Sequence, residues 1–261
     1  MSEFSVQDLV VEADGKIVVN GASFALMGGE VHVLMGPNGS GKSSLLNAIM
    51  GHPKYVLTKG EITLDRADIT GLSTEKKAQA GIFLSLQHLP EIAGVTLTNF
   101  LHKAYCARNT RSDPKNQSPR SGFVFRDTPN IAPLDFYKMM EARAKEFGID
   151  PTFLKKHLNA GLSGGEKKLS EVLQLLALEP KFALLDEIDS GVDVDALKKV
   201  FGVIEHLRAK GIGFLLVSHH PNLLQHVQPK RVTVMKDGKV VATGGKELME
   251  TIARDGFDAV S

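Results

Sequence analysis

Short, nearly continuous apolar runs recur along the chain, separated by stretches of mixed polarity. The runs occupy residues 31–35, 82–86, 182–185 and 213–217. Runs this short predict buried strands, because buried helices are longer. Helices are predicted where apolar residues recur at helical spacing, over residues 44–50, 75–80 and 194–210. Because strands that alternate with helices build parallel sheets, we expect a doubly wound α/β fold.

Two parts of the chain show short strands joined by turns. Residues 4–26 contain strands around the turn Asp14-Gly15, and a further strand is predicted over residues 61–64. Residues 232–235 and 239–242 flank Asp237-Gly238, a dipeptide that is typical of a β-hairpin. Strands and tight turns are therefore expected before and after the α/β pattern.

The composition and the hydrophobic pattern change between the second apolar run and the third. The sequence becomes helical from Leu97, and residues 107–130 are polar and rich in Arg, Ser, Asn and Pro, which predicts a flexible surface excursion. Pro133 then begins an amphipathic helix that Gly148 ends. Residues 88–160 are thus predicted to be a helical insertion in a single domain, whose α/β core comprises residues 1–87 and 161–261.

The pattern G-x-x-x-x-G-K-S lies between the first apolar run and the helix that follows it. Its residues are Gly36, Pro37, Asn38, Gly39, Ser40, Gly41, Lys42 and Ser43, with Ser44 next in the chain. Between a strand and a helix, such a loop turns backbone N–H groups around phosphates, aided by the positive end of the helix dipole. We expect Lys42 to contact the phosphates as a point charge and Ser43 to place its hydroxyl on Mg²⁺. The alternative is a glycine-rich turn without a ligand.

Polar residues follow three other predicted strands, at Gln87, at Asp186-Glu187 and at His219. Ligands of open parallel sheets bind beyond the carboxyl ends of the strands, where these side chains are expected to meet. Asp186 would hold Mg²⁺, and Gln87 would offer its amide to Mg²⁺ or to water. Glu187 would polarise the attacking water, and His219 would stabilise charge in the transition state. An exposed acidic strand end and an ordinary strand-end histidine are the alternatives.

A second glycine-containing segment is Leu162-Ser163-Gly164-Gly165-Glu166. Ser163 and Glu166 have the spacing of a capping box that begins a helix. Two glycines in that first turn cost about 1 kcal/mol each relative to alanine. They are explained if a ligand approaches the backbone closely, and a phosphate at this helix N-terminus would do so.

Composition narrows the class of protein. The chain is 43% hydrophobic, enough for a core, and its 31 basic residues nearly balance its 30 acidic ones. That balance gives no support for a nucleic-acid or anionic-membrane surface. The single Cys106 rules out an internal disulfide and fits a reducing compartment. Without a leader or a membrane-length apolar run, we expect a soluble cytosolic protein.

Taken together and in this order, these motifs resemble the ABC-type ATPase family: Walker A at 36–43, the Gln87 loop, the signature at 162–166, Walker B with Glu187, and the His219 switch. The resemblance implies a P-loop NTPase core with an antiparallel β subdomain and an inserted α-helical subdomain. It also implies two protomers that enclose two ATP molecules, each bound by Walker A of one chain and Ser163, Gly164, Gly165 and Glu166 of the other. Many members stack adenine on an aromatic residue near the position of Asp14, where this chain has none.

Several flanking strings resemble the SufC group, the ATPases of the Suf iron–sulfur cluster assembly machinery. They are residues 35–42, Glu166-Lys167-Lys168, residues 172–174, residues 186–198, residues 90–95 and Gln228-Pro229. This resemblance implies ATP-dependent homodimerisation within a complex with SufB- and SufD-like scaffold subunits. The alternatives are the ATP-binding subunit of a membrane ABC transporter and a non-enzymatic nucleotide-gated clamp.

Overall fold

The structure, a computed structural model, describes residues 2–85, 91–109, 131–220, 223 and 226–260. Gln87 and most of the predicted surface excursion, residues 110–130, lie outside the described residues. The described residues form two compact units. One holds both large sheets, and the other is mainly helical.

The strands and helices follow the predicted alternation closely. The strands are β1 (Glu3–Ala13), β2 (Lys16–Met27), β3 (Val31–Met35), β4 (Tyr55–Leu64), β5 (Ala67–Asp68), β6 (Ile82–Ser85), β7 (Ile92–Thr96), β8 (His157–Leu158), β9 (Phe182–Asp186), β10 (Gly213–Ser218), β11 (Arg231–Lys236) and β12 (Lys239–Gly244). The α-helices are α1 (Lys42–Met50), α2 (Thr74–Ala80), α3 (Leu97–Asn109), α4 (Pro133–Glu146), α5 (Gly164–Leu178), α6 (Val194–Ala209) and α7 (Lys246–Asp255). The predicted α/β class is confirmed.

A six-stranded sheet, in the order β12-β11-β3-β10-β9-β6, forms the centre of the first unit. All of its neighbouring strands are parallel except the hairpin of β11 and β12. Every residue of β3, β9 and β10 is buried, as expected for parallel strands covered on both faces. The predicted runs 31–35, 182–185 and 213–217 therefore owe their apolar character to this position.

An antiparallel sheet of β2, β1, β4 and β5, in that order, is the second sheet of the same unit. The turn Asp14-Gly15 joins β1 to β2, and Ala13 pairs with both Lys16 and Tyr55. The predicted strands of residues 4–26 are confirmed and are longer than expected.

The helical unit contains α3, α4, α5, most of α6 and the short pair β7–β8. Pro133 begins α4 as predicted, and the Asp150 side chain caps the following 3₁₀ turn by accepting from the Thr152 N–H at 2.9 Å. The predicted division assigned residues from 161 onward to the α/β core, whereas α5 and most of α6 pack in the helical unit. The single-domain arrangement with an insertion at 88–160 stays a prediction.

Candidate functional site

Strand register brings the predicted chemistry of the first unit to one sheet edge. β10 lies between β3 and β9, with Ser218 beside Met35 and Val217 beside Asp186. All three strands point the same way, so the residues after their carboxyl ends are neighbours. The glycine loop, Asp186-Glu187 and His219 therefore meet at this edge, as the sequence predicted.

Glycine is required in the loop at two positions where the backbone is tightly enclosed. Gly36 has φ 152°, and a Cβ there would lie 2.1 Å from the Met235 carbonyl oxygen. Gly41, which precedes α1, has φ 97°, and its Cβ would lie 2.6 Å from the Val18 carbonyl oxygen. Both contacts are with backbone atoms, so a side chain would displace the loop from β2 or β11. The loop conformation thus depends on both sheets of this unit.

Lys42 places its ammonium inside this loop. Its Nζ donates to the carbonyl oxygens of Gly36 at 2.8 Å and Pro37 at 2.9 Å, and the residue is buried. Burial lowers the pKa of Lys42, and the negative charges of Asp186 and Glu187 oppose that shift. The ammonium is therefore held at the centre of the loop, close to two carboxylates.

Glu187 and His219 form a pair at the same edge. Glu187 has φ 49°, unusual for a residue with a side chain, and its N–H donates to the Val217 carbonyl oxygen at 3.0 Å. Its Oε1 lies 3.2 Å from His219 Nδ1, and both side chains are partly exposed. Both side chains line a cleft, where they can contact a small molecule.

These groups line a cleft of about 520 Å³. Its walls include residues 38–44, Glu187 and His219, which the sequence predicted together. They also include Ile17, Val18, Asp237 and Gly238, which the sequence analysis had not assigned to the site. The Gly238 N–H donates to the Ser40 carbonyl oxygen at 3.1 Å, so the predicted hairpin turn braces the loop. The sequence alone could not assign this role to the turn, because it arises from the pairing of strands that are distant in the chain.

Asp186 lies deeper than the cleft walls. It is 2% exposed at the end of β9, and its charge acts on Lys42. In the described part of the chain, no three His, Cys, Asp or Glu side chains cluster as a metal site would require. Mg²⁺ is commonly held by one or two carboxylates together with substrate phosphates. Asp186 with the Ser43 hydroxyl fits that mode of binding.

The helical unit contains the second predicted segment at the start of α5. The capping box is confirmed: the Ser163 hydroxyl accepts from the Glu166 N–H at 3.3 Å, and Glu166 accepts from the Ser163 N–H at 2.9 Å. Glu166 also pairs with Lys156, and that hydrogen bond is the main reason that its pKa falls to about 2.

The two glycines of α5 have an intramolecular explanation that the sequence did not suggest. A Cβ on Gly164 would lie 2.7 Å from the Gly191 carbonyl oxygen, and one on Gly165 would lie 3.0 Å from Asp193 Oδ2. The close approach expected from a phosphate is made here by the loop before α6. Phosphate binding at this helix start remains a prediction.

Comparison with known proteins agrees with this geometry. A family model described as "ABC transporter" matches residues 19–190, from β2 through Walker B. The chain belongs to the ABC family of ATPases. Its activity is ATP hydrolysis, and residues 38–43 of its P-loop line the cleft of about 520 Å³.

Relatives of this ABC ATPase align over nearly its whole length. Vegetative protein 296 of Bacillus subtilis (strain 168) is 43% identical over 98% of this chain and 92% of its own. A "probable ABC transporter ATP-binding protein" of Streptococcus pyogenes serotype M3 is 38% identical over 100% of this chain and 96% of its own. The crystal structure of the ADP conformation of MJ1267, an ATP-binding cassette of an ABC transporter, superposes with a TM-score of 0.72 at 26% identity, covering 98% of this chain and 96% of that one.

Two further observations bear on this ABC ATPase. Gln87, predicted to contact Mg²⁺ or water, lies outside the described residues, and its role stays a prediction. Among the helices that the structure describes, none has both the length and the apolarity of a membrane span.

Proposed function

We propose that this ABC ATPase drives conformational change in a scaffold complex that assembles iron–sulfur clusters. The observation that carries the proposal is a contact between two of the SufC-like strings. Lys167 Nζ, in the string after the signature glycines, lies 3.0 Å from Glu91 Oε1, in the string at 90–95. Two residues far apart in the chain, each from a string that resembles the SufC group, thus form an ion pair at the surface of the helical unit.

The cysteine content is compatible with this role. Iron–sulfur clusters are usually held by several cysteine thiolates, and this chain has one, Cys106. Cluster chemistry would therefore take place on partner subunits. The chain would supply the energy of ATP binding and hydrolysis to SufB- and SufD-like scaffolds in the cytoplasm.

We assign the roles in the reaction to the residues at the sheet edge. Backbone N–H groups of residues 36–41 and the Lys42 ammonium would bind the β- and γ-phosphates of ATP. Glu187 would orient a water whose oxygen attacks the γ-phosphorus, while the bond to the β–γ bridging oxygen breaks and ADP leaves. His219, 3.2 Å from Glu187, would hydrogen-bond the γ-phosphate as charge develops. Lys42 would contact the phosphates as a point charge, and Gln87 would offer its amide to Mg²⁺ or to the water.

Asp186, Ser43 and Gln87 would hold Mg²⁺, which when bound would supply positive charge to neutralise the phosphates. Proteins of the ABC family dimerise with ATP and work with partner subunits. In the arrangement that we propose, Ser163, Gly164, Gly165 and Glu166 of one copy would contact the nucleotide held by residues 36–44 of the second. The positive end of the α5 dipole suits that contact.

A second candidate function is the ATP-binding subunit of a membrane transporter. The printed name of the streptococcal relative favours it. The two candidates differ in the partner, since one requires soluble scaffold proteins and the other requires integral membrane proteins.

Affinity purification of the tagged chain from its native cells, followed by mass spectrometry, tests the proposal. We expect soluble scaffold proteins to be enriched, with and without detergent. The charge reversal Lys167→Glu should reduce their recovery, whereas the matched control Lys145→Glu, on an exposed lysine of α4 outside the SufC-like strings, should not. Recovery of integral membrane proteins in place of soluble scaffolds would reject the iron–sulfur role and support the transporter.

A further inference from the structure

A second cleft, of about 390 Å³, adjoins the first one in the same unit. The two share Val18 and Ser44 as walls. Ser44 belongs to the first turn of α1, directly after the lysine and serine of the phosphate loop. A nucleotide whose phosphates occupy the loop must continue, through its ribose, into neighbouring space. The second cleft is such a space.

One aromatic ring faces this second cleft, that of Tyr55. Tyr55 begins β4 and pairs with Ala13, the last residue of β1. Its N–H donates to the His52 carbonyl oxygen at 2.9 Å, and its ring meets the His52 ring edge at a centroid distance of 5.6 Å. A hydrogen bond thus holds the Tyr55 backbone and the His52 ring contacts the Tyr55 ring, which is only half-buried.

The remaining walls suit a flat, largely apolar group whose edge is polar and exposed to solvent. Ala13 and Val18 provide apolar surface beside the Tyr55 ring. At the rim, Lys54 Nζ lies 3.3 Å from Asp14 Oδ2, with both side chains more than half exposed. A purine base has this character, since its faces are apolar and its edge carries hydrogen-bonding groups.

We propose that the adenine base of ATP lies in the second cleft and stacks on Tyr55, so that Tyr55 sets much of the affinity for the nucleoside part of the ligand. The aromatic surface that is missing from the β1–β2 turn is thereby supplied by β4, a strand that follows α1 in the chain. This inference depends on the ATPase activity and not on the iron–sulfur role, so either can fail without the other.

Equilibrium binding of Mg-ATP and of inorganic tripolyphosphate tests the inference, because tripolyphosphate keeps the phosphates and lacks the base. Calorimetric titration of Tyr55→Ala should show about tenfold weaker binding of ATP and unchanged binding of tripolyphosphate. Tyr55→Phe should bind both like the wild type, since it keeps the ring. Val56→Ala is the matched control: its side chain is 56% exposed and, by strand alternation, points to the other face.

Two alternatives give distinct results. If the base instead contacts Ile17, which is 56% exposed in the first cleft, Ile17→Ala and not Tyr55→Ala will weaken ATP binding, and the proposal fails. Equal weakening of ATP and tripolyphosphate by Tyr55→Ala would show damage to the phosphate loop and would also overturn it. Should Tyr55→Ala not fold, Tyr55→Leu removes the aromatic face with less loss of volume. Failure of the wild type to bind ATP would refute the ATPase assignment instead.

Discussion

At the scale of single residues, the sequence predicted chemistry best where local spacing carries it. Lys42, Glu187 and His219 were identified from their positions after predicted strands, and the structure brings them to one cleft. The backbone strain of Glu187 and the walls formed by Ile17 and Tyr55 were not predictable. They depend on pairings between distant segments, such as Ala13 with Tyr55.

His32 is a buried residue whose protonation opposes folding. It is the second residue of β3, 2% exposed, with Nε2 2.8 Å from the Thr233 hydroxyl and its ring edge against Phe24. Burial, aided by the charge of Arg231, lowers the pKa of His32 to about 4. Because the folded pKa lies below the ordinary value of about 6.5, the unfolded chain binds the proton more tightly.

This lowered pKa predicts acid sensitivity with a defined window. The stability that His32 contributes is complete above pH 6.5 and declines as pH falls toward 4, with a loss of about 2 kcal/mol at pH 5. Urea unfolding at pH 8 and pH 5 measures it, with His32→Gln as the comparison. The wild type should lose about 2 kcal/mol more than His32→Gln between these pH values. Equal losses in the two proteins would contradict the assignment to His32.

At the scale of strands and helices, most elements could be predicted because apolar runs, caps and glycine stops are local signals. The phosphate-loop helix ends at Gly51 in the left-handed conformation, and the α5 capping box has both of its hydrogen bonds. The pair β7–β8 was missed because β7 is largely exposed and its partner is two residues long. The sequence analysis also assigned no helix where α7 lies.

Two helix glycines allow a matched test of why α5 begins as it does. Ala is a better helix former than Gly, so Gly202→Ala, in open space on α6, should stabilise the protein by about 1 kcal/mol. Gly164→Ala should destabilise by about 1–3 kcal/mol, because its Cβ would lie 2.7 Å from the Gly191 carbonyl oxygen. Thermal and denaturant unfolding of both variants give the signs. A stabilising Gly164→Ala would show that the contact with the 191–193 loop is not the reason for glycine.

At the scale of the whole molecule, the sequence predicted the fold class and the family but not the grouping of helices. The order of motifs specified an ABC ATPase, and alignment of relatives over 98% or more of the chain agrees. Sequence could not assign α5 and most of α6 to the helical unit, because that grouping depends on packing between distant segments. The partner surface is likewise a property of the folded chain and remains a proposal.

The account rests on one chemical claim, that Glu187 orients the water that cleaves ATP bound at residues 36–44. Phosphate release by Glu187→Gln, measured beside ATP binding, tests it most directly, with Lys42→Ala as the variant that should lose binding. We expect Glu187→Gln to bind ATP like the wild type and to release phosphate about 100- to 10,000-fold more slowly. Phosphate release at the wild-type rate by Glu187→Gln would contradict the claim.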